Sequence, residues 1–177
     1  VPFRRGRSVL STRGEGGGLD LGREMCRIML TMSTERQAML PPFHLAIAVG
    51  DIDAAREFYG EVMGFGQGRS DTRWTDWNVE GHQVVTHMVD DYTAPVAGHN
   101  VVDGHQVPVP HFGLVLSPER FQELAARMTE RGTEFVIEPY VRFQGEPGEQ
   151  WTMFFLDPSG NAMEFKAFAD LDQLFAV

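Results

Sequence analysis

Three residues have the types and spacing of a metal site. His44 stands second in the apolar run Phe43-His44-Leu45-Ala46-Ile47-Ala48-Val49. His111 stands second in Pro110-His111-Phe112-Gly113-Leu114-Val115-Leu116, 67 residues later. Glu164 lies in a third apolar run, residues 162–168, where alternation turns it away from Met163 and Phe165. Two imidazoles and one carboxylate that converge with open positions suit non-haem Fe(II), and the same donors suit Zn, Ni or Mn. A carboxylate in so apolar a strand also needs a partner, because burying an unpaired charge is costly.

The elements that must position these residues occur twice. Each histidine run is short and apolar, as a strand is, and is followed by a helical face spaced i, i+3, i+4, i+7. The first face is Ala55, Phe58, Tyr59, Val62; the second, 66 residues on, is Phe121, Leu124, Ala125, Met128. An internal repeat of this kind implies two copies of one structural unit. Asp51 and Ser117-Pro118 are start signals for the helices, and Gly64 and Gly132 are stop signals. In the first strand His44, Ala46 and Ala48 share one face and Leu45, Ile47 and Val49 the other. In the second, Phe112, Leu114 and Leu116 face the helix, and His111, Gly113 and Val115 point the opposite way. Residues 74–79 and 82–89 read as strands of the first copy. Residues 134–137, 152–156 and 162–168 read as strands of the second, with a turn at Asp157-Pro158-Ser159-Gly160-Asn161.

The fold class expected is therefore α+β: two βαβββ modules, over about 41–92 and 108–170, whose mixed sheets close around a metal-binding hollow. The segment 90–110 between them is rich in Gly and Pro, carries His99 and His105, and reads as a long functional loop. Residues 142–150 read as a further loop at the mouth of the hollow. No Gly-rich phosphate loop, nucleophile elbow or cysteine-pair metal motif is present.

Composition narrows the function classes. The chain has 177 residues and a formal net charge of −10, which disfavours nucleic acid and anionic membranes as partners. The single cysteine, Cys26, allows no disulfide within the chain, which fits a cytoplasmic location. Residues 1–38 hold seven Arg against four acids, leaving −13 for the rest. Residues 1–40 thus read as a disordered or mis-called leader, with a short helix over 22–31, ahead of a domain spanning 41–170.

A larger set of residues carries a resemblance. To the two histidine runs it adds Asp51-Ile52-Asp53-Ala54-Ala55-Arg56-Glu57-Phe58-Tyr59, Val62-Met63-Gly64-Phe65, and Phe155-Leu156-Asp157-Pro158-Ser159-Gly160-Asn161-Ala162-Met163-Glu164-Phe165. Over about residues 41–168 the chain resembles the vicinal oxygen chelate superfamily of glyoxalase I, extradiol ring-cleaving dioxygenases, fosfomycin-resistance enzymes and bleomycin-resistance proteins. The resemblance implies paired βαβββ modules around a divalent metal with His44, His111 and Glu164 as ligands, and a homodimer. His87 falls where glyoxalase I carries a fourth ligand. It is read as a fourth ligand or as a catalytic acid/base, a role open also to His99 and His105. His82 has the opposite phase to His87 and is expected to face outward.

The activity expected is Fe(II)-dependent extradiol-type dioxygenation of a catechol-like small molecule with O₂. The alternatives are a glyoxalase-like lyase or isomerase on Zn or Ni and a drug-sequestering binding protein. The last generally lacks a metal site, which His44, His111 and Glu164 argue against. Ring-cleaving members carry a His and a Tyr ahead of the final Glu ligand, and residues 143–163 contain neither. Glyoxalase I needs cations for the glutathione carboxylates, for which Arg69 and Arg142 are the candidates.

Overall fold

A computed structural model describes residues 41–95 and 98–175. From Pro42 onward these belong to one compact unit, Pro42–Val177. The expected leader over residues 1–40, and the short helix within it, lie outside the described residues.

The first module begins with β1 (His44–Val49). Asp51 caps the next helix, its carboxylate accepting from the Asp53 and Ala54 N–H groups at 2.8 and 3.0 Å. That helix, α1 (Ile52–Arg56), widens into a π-helical stretch, Glu57–Val62, closed by an i→i−5 bond from Met63 N–H to the Phe58 carbonyl. The consecutive aromatics Phe58 and Tyr59 are both buried there. β2 (Gly66–Asp71), β3 (Trp74–Val79) and β4 (His82–Met88) complete the module in the order β1-β4-β3-β2, with β1 parallel to β4.

The second module repeats it with β7 (Val115–Leu116), α2 (Pro118–Glu130), β8 (Phe135–Arg142), β9 (Gln150–Leu156) and β10 (Ala162–Phe168), in the order β7-β10-β9-β8. Ser117 caps α2 by accepting from Arg120 N–H, with Pro118 at its first position. The fold is α+β with two mixed four-stranded sheets, the βαβββ pattern expected from the repeat.

Four local expectations are corrected. The segment 90–110 is not a featureless loop but holds a hairpin, β5 (Gly98–Val102) and β6 (His105–Val109), closed by Asp103-Gly104. Both turn residues have positive φ, 49° and 79°, as a two-residue hairpin turn requires. β8 continues past Ile137 to Arg142, because Pro139 sits in a register shift where no ladder N–H is needed. The strand expected over 111–116 is paired only at Val115–Leu116, with an isolated bridge from Phe112 to Met163. His82 is half-buried rather than outward, its Nδ1 accepting from Phe43 N–H at 3.0 Å.

The helix-covered faces of both sheets meet in one core. Phe58 of the first module lies 6.2 Å, ring to ring, from Phe155 of the second, and Phe65 lies 6.4 Å from Phe165. Arg127 on α2 donates to the Val62 and Glu61 carbonyls, tying together the ends of the two helices. The joint itself is the turn after β9. Asp157 is buried and accepts from Tyr59 Oη at 2.9 Å, from the Ser159 and Asn161 N–H groups at 2.8 Å each, and from Asn161 Nδ2 at 2.8 Å. Asn161 Nδ2 also reaches the Ala48 carbonyl, and Ser159 Oγ accepts from Gly50 N–H.

Burial first, then the charge of Asp157, raises the Tyr59 phenol well above its ordinary value. Its contribution to stability is complete below the ordinary tyrosine value of about 10 and is lost as pH climbs toward the folded-state value. Tyr59→Phe should cost about 1–3 kcal/mol at neutral pH, the usual loss when a buried acceptor is stripped of its donor. It should also flatten the fall in melting temperature above pH ~10. Thermal melts of both proteins from neutral to alkaline pH check this; parallel alkaline curves would reject it.

Candidate functional site

The face of the second sheet turned away from α2 is unusually polar for a surface this enclosed. Glu164 and Lys166 on β10 stand opposite Phe154 and Thr152 on β9, which pair in turn with Ile137 and Tyr140 on β8. Glu164 is only 7% exposed. One of its oxygens accepts from Thr152 Oγ1 at 2.9 Å; the other lies 3.1 Å from His111 Nε2 and 3.0 Å from Lys166 Nζ. His111 Nδ1 is 2.6 Å from the Pro108 carbonyl, a contact that requires an N–H at Nδ1. Nε2 then directs a lone pair at a carboxylate oxygen, an arrangement that is attractive only with a cation between them, either a proton or a metal ion. An imidazole whose far N–H is held by a carbonyl, beside a carboxylate held by a hydroxyl, fits the donor set and outer support of a divalent metal.

The other expected residues are distributed as follows. His44 is exposed on the first sheet, with Nδ1 2.8 Å from Gln83 Oε1. His87 is exposed and pairs with Ala48 and Trp74, so it shares the face of His44. Neither lines a cavity with His111, and no group of three His, Cys, Asp or Glu side chains among the described residues stands close enough to hold a metal. His99 on β5 lines the same cavity as His111. His105 on β6 packs on Tyr140 with ring centres 4.7 Å apart.

Two cavities meet at the His111 ring. One, about 180 Å³, is lined by Tyr140, Arg142, Thr152, Glu164 and Lys166 with apolar residues of the hairpin. The other, about 640 Å³, opens between the modules and is mostly apolar. The hairpin β5–β6 roofs the polar side: Asp103 in its turn pairs with Arg142. Burial raises the Tyr140 phenol, Arg142 opposes this, and the charges of Asp103 and Glu164 add to the rise. Sequence reasoning missed Tyr140, Thr152 and Lys166. Lys166 was findable, two residues from Glu164 on one strand; Tyr140 and Thr152 depend on strand register.

Gly113 brings the backbone of the chain against β10. A Cβ there would stand 1.6 Å from the Glu164 carbonyl oxygen, so only glycine lets the segment after His111 lie beside Glu164.

A family model described as the Glyoxalase/Bleomycin resistance protein/Dioxygenase superfamily matches residues 42–165. No curated protein matches. Among solved structures, a glyoxalase/bleomycin resistance protein/dioxygenase from Alicyclobacillus acidocaldarius is 29% identical, with a TM-score of 0.63 over 76% of this chain and 96% of that one. A fosfomycin resistance protein from Listeria monocytogenes is 16% identical, with a TM-score of 0.56 over 76% of this chain and 98% of that one. A glyoxalase/dioxygenase from Nostoc punctiforme is 15% identical, with a TM-score of 0.56 over 92% of this chain and 100% of that one. The last two show likeness of fold.

Gly113→Ala should destabilise the protein by about 3 kcal/mol or more, the upper range for forced overpacking, since the obstacle is backbone and cannot rotate away. Urea unfolding measures this; a loss under ~1 kcal/mol would show that the segment shifts freely.

Proposed function

The chain belongs to the glyoxalase/bleomycin resistance protein/dioxygenase superfamily, and from that premise we propose that it is a metal-dependent enzyme acting on a small molecule. His111 and Glu164 hold the metal within one chain, and His44 of a second copy completes the site in a homodimer. The observation that carries this is the His111 imidazole, oriented by the Pro108 carbonyl with Nε2 aimed at a buried carboxylate. The exposure of His44, on a face with no part in either cavity at His111, supports its donation to a partner. His87 lies on that same face and would arrive with it.

The preferred chemistry is Fe(II)-dependent, extradiol-type oxygenation of a catechol-like substrate. A metal in this place would supply Lewis acidity toward the substrate oxygens and, as Fe(II), redox chemistry with O₂; redox-inert Zn would supply the first alone. The protein's own groups do the rest. Glu164 provides the compensating negative charge and Thr152 fixes its orientation. Tyr140 lines the same cavity as Glu164 and brings a phenol proton to it, and His105 braces its ring. His99 offers an acid/base group on the apolar side, and His87 another from the second copy. Tyr140 answers the lack of a tyrosine in residues 143–163, since it precedes that run yet lines the Glu164 pocket. The glyoxalase alternative is less well served. Arg142 is paired with Asp103, and Arg69 lies on the other module, paired with Asp76, outside both cavities at His111.

Elemental analysis of anaerobically purified protein should find a divalent metal, lost for the most part in His44→Ala, His111→Ala and Glu164→Ala. A mixed dimer of His44→Ala and Glu164→Ala chains should regain one site of two. Full metal in all three single variants rejects the ligand set, and no recovery in the mixed dimer rejects the shared site.

The Fe(II)-loaded protein should consume O₂ with a catechol. Tyr140→Phe and His87→Ala should keep the metal and lose turnover, by about 10²–10⁴-fold for a general acid/base. Activity on a thiol–aldehyde adduct without O₂ uptake would reassign the protein as a lyase.

A further inference from the structure

The two oxygens of Glu164 are in different positions, and two groups address one of them. Oε1 is held by Thr152 Oγ1 at 2.9 Å. Oε2 lies 3.1 Å from His111 Nε2 and 3.0 Å from Lys166 Nζ. Nε2 carries the lone pair, because the Pro108 carbonyl holds the proton at Nδ1. The 3.1 Å span suits two neighbouring ligands of one ion, each about 2.1 Å from it. Lys166 therefore donates to the same oxygen that a metal on His111 would take.

Lys166 has no other carboxylate within this cavity to turn to. It stands two residues after Glu164 on β10, so alternation puts both on one face. Glu164 is the only acid among the described residues lining the small cavity, and Arg142 there is already paired with Asp103. The charges of these two ion pairs cancel before any ion enters. The repeat supplies no second carboxylate at the matching place. Lys166 pairs with Val115 as His87 pairs with Ala48, and Phe112 bridges to Met163 as Leu45 pairs with Val84. Val85 therefore holds the place of Glu164 in the first module, and His87 the place of Lys166. A divalent ion at His111 would meet a carboxylate whose charge an ammonium already balances. Like charges this close in a half-buried site repel strongly.

We propose that Lys166 is a positioning residue that holds Glu164 when the metal is away and weakens the metal's grip when it is bound, so that the ion stays exchangeable. The assignment rests on the metal-site reading above and adds to it the residue that sets the affinity. One side chain then acts with opposite sign on two states. Its ammonium supports the buried carboxylate of the metal-free protein, where an unpaired charge is costly. It opposes the loaded state by adding a third positive charge to the two of the ion.

The test compares the full chain with Lys166→Met, which keeps the apolar stem, and Lys166→Arg, which keeps the charge. The Lys166 side chain is 28% exposed, so neither change opens the core, and Lys166→Gln serves should the methionine variant not fold. Co(II) affinity is measured by competition with a chromophoric chelator, and melting is followed in EDTA and in Co(II). Lys166→Met should bind Co(II) about tenfold more tightly or better, the usual scale of coupling between two sites. In EDTA it should melt about 3–8 °C below the native protein, and Co(II) should close that gap. Lys166→Arg should keep the native affinity. A side chain that only packs would lose stability and affinity together. Equal or weaker Co(II) binding by Lys166→Met overturns the proposal, as does a Lys166→Arg variant that binds as tightly as Lys166→Met. Binding that needs Glu164 but ignores Lys166 rejects this role alone. Full Co(II) binding by Glu164→Ala, or none by any of the proteins, rejects the metal site and this role with it.

Discussion

The Asp157 carboxylate is the point at which two similar modules become one structure. It is buried, and a buried negative charge is tolerable only when its oxygens are well supplied with donors. Two donors are local backbone N–H groups, one is the Asn161 side chain, and one is Tyr59 from the other module's helix. Only Tyr59 crosses the boundary to reach the carboxylate itself. Asn161 and Ser159 extend the grip to Ala48 and Gly50 at the end of β1. The hydrophobic core supplies most of the driving force, but apolar contacts are non-directional. The polar cluster is what specifies how β1 meets the second module.

That placement has a direct consequence for the site. The end of β1 is clamped to the β9–β10 turn, and β1 and β7 are each an edge strand of their own sheet. The apolar cavity lies between β1 and residues of the second module. His111 lines that cavity, and Gly113, two residues on, lets the chain run against β10. Glu164 then lies behind the imidazole, held by Thr152 and Lys166. Apolar space and polar chemistry thus share a single histidine ring as their partition.

The hairpin β5–β6 contributes to both sides of that partition. Its base supplies the Pro108 carbonyl that orients His111, its first strand carries His99 toward the apolar cavity, and its second places His105 on Tyr140. Its turn is latched to Arg142 through Asp103. An insertion between two repeats, free of the repeat's own packing constraints, is where a scaffold of this kind acquires groups the repeat itself does not provide.

Much of this was legible in the chain. The repeat, the helix caps at Asp51 and Ser117, the alternation within each strand and the apolar setting of Glu164 are local patterns, read over a few residues at a time. They determined the βαβββ modules and marked His44, His111 and Glu164 as a set. The Asp103-Gly104 hairpin was also written locally and went unread, because a Gly/Pro-rich segment looks like loop when its turn signal is not weighed. What only the tertiary structure decided was which marked residues meet. It joined His111 to Glu164, set His99 on a cavity that His111 also lines, and brought in Tyr140, Thr152 and the Pro108 carbonyl. It left His44 and His87 on the face of the other sheet. Strand register across β8–β10 and the clamp at Asp157 set those meetings. Both are agreements between segments far apart in the chain, and a local pattern carries no information about them.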